Sequence, residues 1–300
     1  MANNIELFKK YVPLLDEVYK LSSLTADLDG APELARQGQN ANELIIPKIS
    51  MDGLANYSRN GGYVDGDVTL TNETVKCNFD RGRMFTVDTL DNLETAMIAF
   101  GSLASEFIRT KVVPELDAFR FATLASISGI STTDAAALST GANVITALRA
   151  AVNKMDEDEV PDNERILYIT PTLLGLVRDL DTTKSKEVLD GFAKVVKVPQ
   201  SRFYTAIKQL SGKVEPVSGG STTDDQTAGG FTKADSAKNI NFMIIHKPAI
   251  IQYQKHVAPK VITPEQNQDA DAWKFGYRNV GISDAYENKV AGIYLHKAAS

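Results

Sequence analysis

The sequence has little of what catalysis, redox chemistry or membrane insertion requires. Its 300 residues include one cysteine, Cys77, and three histidines. An intrachain disulfide and a multi-cysteine metal site are therefore excluded, as expected of a chain made in a reducing cytoplasm. His246, His256 and His296 have no carboxylate or cysteine at ligand spacing, and each reads as a polar strand end or a surface residue. No GxSxG elbow, phosphate-binding glycine loop, HExxH pair or dinucleotide fingerprint occurs. No run approaches the roughly 20 apolar residues that crossing a bilayer takes, so no membrane contact is expected. The first residues do not make a signal peptide: Lys9, Lys10, Asp16 and Glu17 interrupt Ile5, Phe8, Val12, Leu15 and Tyr19, a spacing that predicts an amphipathic helix. The net charge of -6 gives no basic footprint for tight nucleic-acid binding. A hydrophobic content of 43% suffices for one large or two modest domains.

What the chain does have is a long helical pattern over 91–128. Leu93, Met97, Phe100, Leu103, Ala104, Phe107 and Ile108 share one helix face, and Val112, Val113, Leu116, Phe119 and Leu124 continue the stripe. Pro114 interrupts it, and the pattern predicts a kink or restart there within one long, bent spine.

Before the spine, 43–50 (ELIIPKIS) and 68–88 read as extended strands around a polar tip with Gly53, Gly61, Gly62 and Gly66. Leu54, Tyr57 and Tyr63 are the tip's only sizeable apolar groups. A lone two-stranded ribbon is marginal in water, so the ribbon is expected to lie across a second copy of the chain. Arg59, Arg81 and Arg83, along or beside the ribbon, are candidates for pairing with carboxylates of a neighbour, the acidic stretch 156–159 being one class of partner. Solubility of an exposed ribbon is the alternative role for them.

After the spine, 132–140 reads as a linker, 141–155 as a helix, and 156–161 (DEDEVP) as a solvated loop. Ile166 begins a strand, ILYIT, buried on both faces, and Thr170 with Pro171 opens a helix as cap and first residue. Further strands are expected at 195–199 (VVKVP), 241–245 (NFMII), 260–263, 272–282 and 290–296, with 218–235 a flexible loop between two of them. Trp273, Phe275 and Tyr277 read as one face of a core sheet. Asp65 with Asp67 and Asp269 with Asp271 are acidic pairs, too few for the six to eight oxygens of calcium and read as turns. No metal or cofactor is expected.

The order of amphipathic arm, long hairpin, spine helix and mixed remainder resembles the major capsid proteins of tailed bacteriophages, the Hong Kong ninety-seven fold. KVVPELDAFRF at 111–121, ILYITPTLLGLV at 166–177, VVKVPQSRF at 195–203, FMIIHKPAI at 242–250 and GISDAYENKVAGIYLHK at 281–297 carry the resemblance through nearly the whole chain. It implies an α+β fold with an N-terminal arm (1–40), an extended hairpin or E-loop (41–88), a peripheral domain with the spine (89–130 and 246–286) and an axial domain (131–245 and 287–300). It further implies a non-enzymatic coat protein that assembles in the host bacterial cytoplasm into the virion capsid, as pentamers and hexamers around double-stranded DNA held by non-specific contact. A separate scaffolding protein, a portal at one vertex and a decoration protein are the partners implied, with Pro114 as the site where the spine bends. An encapsulin-like compartment of the same fold, and more distantly a soluble α/β enzyme, are the alternatives.

Overall fold

The computed structural model describes residues 23–30, 36–37, 43–94, 98–133, 137–180, 182–216 and 223–299, so the amphipathic helix expected over the first residues lies outside it. In chain order, β1 (Arg36–Gln37), β2 (Glu43–Met51) and β3 (Val68–Lys76) form an antiparallel ribbon, and β4 (Phe79–Asp88) leads into α1 (Thr89–Glu94). The spine is α2 (Ile98–Phe107), a π-helical turn (Ile108–Val112) and α3 (Val113–Ser126). Next come β5 (Ser131–Thr133), α4 (Gly141–Glu157), β6 (Arg165–Ile169), α5 (Pro171–Asp179), α6 (Thr183–Asp190) and β7 (Lys194–Lys197). The chain continues through β8 (Ile207–Gln209), β9 (Val214–Pro216), β10 (Thr223–Asp225) and β11 (Phe231–Lys233) to β12 (Ile240–His246), β13 (Ile250–Ile262), β14 (Ala272–Ala285) and β15 (Ile293–Lys297).

A five-stranded sheet, ordered β5-β15-β12-β6-β7, is buried on both faces. Successive strand residues point to opposite sides. Ile166, Tyr168, Met243, Ile245, Ile293 and Leu295 pack with Phe121 and Leu124 of the spine. Leu167, Ile169, Phe242, Ile244 and Tyr294 pack with Val144, Leu148, Leu174 and Val177 of α4 and α5. This double burial explains the near-continuous apolar strand sequences. Gly141 makes the helix contact possible, because a Cβ there would lie 2.2 Å from the carbonyl oxygen of Leu176.

A second sheet, ordered β13-β14-β4, carries the spine. Phe79, Arg81, Arg83 and Phe85 of β4 alternate onto the spine side. Phe79 meets Phe119 at 4.9 Å between ring centroids and Phe85 meets Phe107 at 4.8 Å, while Tyr277 of β14 also reaches Phe107.

Several expectations are corrected. The stretch 68–88 is not one strand of the hairpin: β3 ends at Lys76, and β4 pairs with β14 from Phe79↔Gly281 to Asp88↔Ala272. Proline has no N–H to donate and crowds the carbonyl one turn back, so a kink or restart was expected at Pro114 within one long spine, and α3 does begin at Val113 with the proline in its first turn. What the sequence did not show is the wider π-turn just before it, where the Val113 N–H reaches the Ile108 carbonyl, which absorbs the misfit so that the helix runs on. The stretch 218–235 contains β10 and β11, which pair with β9 and β8, and the expected linker at 132–140 begins inside β5. Thr170 precedes α5 without a side-chain cap, although its carbonyl accepts from the Leu174 N–H. Helix α6, unanticipated, starts with a capping box between Thr182 and Ser185.

Candidate functional site

In the ribbon, β2 pairs with β3 from Glu43↔Lys76 to Met51↔Val68, which sets the two faces. On one face Ile46 and Val75 are buried against Ile251 and Ile282, so the root of the ribbon is packed. On the other face Ile49 lies opposite Leu70 and Met51 opposite Val68. All four are more than half exposed, Leu70 at 68%. Beyond them Leu54 is fully exposed, and the rings of the exposed Tyr57 and Tyr63 meet at a tilt, 4.9 Å between centroids. Arg59 is also exposed on this tip. The outcome is a polar-backed ribbon whose distal half presents one contiguous apolar strip, unlike the scattered apolar residues of an ordinary surface.

Arg81 and Arg83 are placed differently from the tip residues. They face the spine, and both have partners inside the chain. Arg81 donates through Nε to Glu115 Oε1 at 2.7 Å and through Nη2 to the carbonyls of Leu210 and Gly230. Arg83 donates to the carbonyls of Ala228 and Thr227, at 3.0 and 2.9 Å. Together they span a cleft of about 740 Å³ between β4, the π-turn and the turns of the short strands, whose walls include Phe85, Phe107 and Tyr277. Burial raises the Glu115 carboxyl above its ordinary range, and the Arg81 guanidinium offsets this only in part.

The acidic stretch has partners in the chain as well. Asp156 pairs with the buried Arg165 at 2.6 Å, and Asp158 with Lys154 at 2.5 Å. Asp269 pairs with Lys274, Asp271 accepts from Thr89, and Asp52 accepts from the Asp67 N–H. Among the described residues no group of three or more His, Cys, Asp or Glu side chains is placed to hold a metal ion. His296 is buried against the Phe242 ring beside Asn241, and burial lowers both it and His246; His256 is exposed in β13. No helix among the described residues is long and apolar enough to cross a membrane.

Sequence reasoning missed a buried polar cluster at the foot of the spine. Asp117, with no exposure, accepts from Ser23 Oγ, from the N–H groups of Leu24 and Thr25, from Thr25 Oγ1 and from Arg202 Nη1. Arg120 donates to Thr25 Oγ1 and Asp29, and Gln252 donates to Asp29 and the Thr25 carbonyl. Residues 23–30 are thereby seated between α3 and β13. The one signal available was two charges, Asp117 and Arg120, inside an otherwise apolar helix face.

No protein-family model and no curated protein matches the sequence. Solved structures do match. One, of Mycobacterium phage Che8, is 13% identical with a TM-score of 0.63, covering 99% of this chain and 98% of that one. Another, the asymmetric unit of the bacteriophage PhiM1 mature capsid, is 12% identical with a TM-score of 0.61, covering 99% and 92%. A virus-like particle from Pyrococcus furiosus is 10% identical with a TM-score of 0.52, covering 85% and 86%. At these identities the likeness is one of fold, and over nearly its whole length this chain carries the tailed-phage capsid fold, the Hong Kong ninety-seven fold.

Proposed function

We propose that the chain is a structural coat subunit, not an enzyme, which self-associates into a closed icosahedral shell. The observation that carries this reading is the ribbon. Its root is packed on Ile251 and Ile282, yet its distal strip of Ile49, Met51, Val68 and Leu70 is bare. An apolar strip held out on a two-stranded arm is stabilised when a neighbouring copy covers it, and repetition around closed rings sums many such contacts. Leu54, Tyr57, Arg59 and Tyr63 are the tip contacts in this reading. Arg81 and Arg83, partly exposed, are assigned to bonds within the subunit.

The fold likeness supports the further division into arm, hairpin, peripheral domain with spine, and axial domain. Pentamers and hexamers, a scaffolding protein, a portal vertex, a decoration protein and packaged DNA follow as proposals, with the shell as part of a virion built in a bacterial host. The spine is proposed to bend at the π-turn and Pro114. Pro114→Ala should alter interconversion between shell forms, and unchanged interconversion would remove the proposal.

A shell that encloses protein cargo is a second reading, since a virus-like particle from Pyrococcus furiosus is among the solved structures that share the fold. Negative-stain microscopy of the purified chain, alone and with a coexpressed scaffold, tests both. Closed shells or rings of five and six establish the structural role, and nuclease digestion and proteomics of their contents separate genome from cargo. A compact monomer under every condition overturns the reading.

A further inference from the structure

The described residues of the module made by the short strands β8–β11 form no core of their own. Among the described residues of 207–233, only Gln226 is buried. Its side chain ties the two turns together, accepting from the Ser211 N–H through Oε1 at 2.9 Å and donating to Asp224 at 3.0 Å. With no apolar residue fully buried among its described residues, the module gains little from the hydrophobic effect in choosing its orientation, so directional hydrogen bonds must supply it.

Those bonds come from Arg81 and Arg83. The two alternate residues on β4 reach across the cleft to four carbonyls, those of Leu210, Thr227, Ala228 and Gly230, on both turns of the module. Charge-assisted bonds to carbonyls are stronger than neutral ones, and the planar guanidinium distributes them in a fixed fork. The turns are shaped to receive it. Gly229 has a φ of +66°, and a Cβ there would sit 2.6 Å from Arg83 Nη1, so a glycine is needed both for the backbone and for the approach of the guanidinium.

We infer that Arg81 and Arg83 are positioning residues which clamp the β8–β11 module onto the long sheet and so hold the cleft over the spine's π-turn at one width. These two side chains supply the directional contacts that fix the module, with only partly buried residues such as Leu210 and Phe231 packing beside them. The width of the cleft governs how much room the spine has at the turn where its helix is widest.

The test is hydrogen exchange on the unassembled full-length subunit, which needs no shell and so stands apart from the reading of function. Arg83→Met removes half the clamp; Gly229→Ala displaces the same guanidinium while leaving the arginine in place. Arg278→Met is the control, because Arg278 pairs with Asp80 on the opposite face of the same sheet. Both clamp variants should speed exchange across 207–216 and 223–233 by about tenfold or more while α4 and β12 keep their protection. Arg83→Lys, with one donor group, should recover part of the protection. Unchanged exchange in Arg83→Met overturns the inference even if the backbone strain of Gly229→Ala loosens its turn, as does the same acceleration in the Arg278→Met control or a loss of protection spread through the whole chain.

Discussion

Arg202 Nη1 lies 2.9 Å from Asp117 Oδ2, with the arginine side chain 4% and the aspartate side chain 0% exposed. Asp117 also takes four hydrogen bonds from residues 23–25, so a single carboxylate joins the spine, the turn before β8 and the segment ahead of the ribbon.

Removing that carboxylate takes an ion-pair partner from the buried Arg202 and the acceptor from five hydrogen bonds. Asp117→Ala should cost about 3–5 kcal/mol of subunit stability, the range for breaking one side of a buried pair. Urea unfolding of the unassembled subunit measures it, and a loss under about 1 kcal/mol would show that the cluster is not coupled to folding.

Glu115 gives a pH dependence with a definite sign. Burial raises its folded-state value above 4.5, so the folded state holds the proton more tightly than the unfolded chain does. Its contribution is therefore greatest at low pH, and stability declines as pH rises from about 4.5 through the raised folded value. Glu115→Gln should remove that decline, and parallel urea midpoints for the two proteins between pH 4 and 7, an interval set by the carboxylate range, would contradict it.

Met51→Asp and Leu70→Asp place charges on the bare strip of the ribbon. Each should change subunit stability by no more than about 0.5 kcal/mol, as exposed substitutions do, while abolishing particle formation. Sedimentation of the assembled fraction reads the outcome, and normal particle yield would remove the ribbon from the interface.

Gly141→Ala opposes the usual rule that alanine strengthens a helix. The Cβ would meet the backbone carbonyl of Leu176 at 2.2 Å, and backbone cannot swing aside as a side chain does. A loss of about 1–3 kcal/mol is expected in place of a gain, read from the melting temperature.

Phe121 has no exposure and packs edge-on against Tyr168 at 5.2 Å and Phe203 at 4.9 Å, joining spine, sheet and the turn after β7. Phe121→Ala should cost about 3–5 kcal/mol. A smaller loss would mean that the site collapses onto the vacated volume.

The sequence by itself determined the elements whose period is strong: the apolar face of the spine from Leu103 onward (the side chains of Leu93, Met97 and Phe100 lying outside the described ones), the helix from Gly141, the buried runs of β6 and β12, and the ribbon with its glycine-rich tip. Local geometry makes these legible, because a helix face or a strand face repeats at a fixed spacing along the chain. Tertiary structure alone decided where the charges go. Arg81 and Arg83 read as surface groups along a hairpin, but β4 pairs with β14, and the pleat then turns them toward Glu115 and the carbonyls beyond the cleft. Ser23 and Thr25 are separated from Asp117 by more than ninety positions, and no spacing links them. The π-turn was likewise beyond local reading, for a proline announces a misfit without stating whether the helix breaks or widens. Which strand a segment pairs with sets which side of it is buried, and that choice is made by the whole fold.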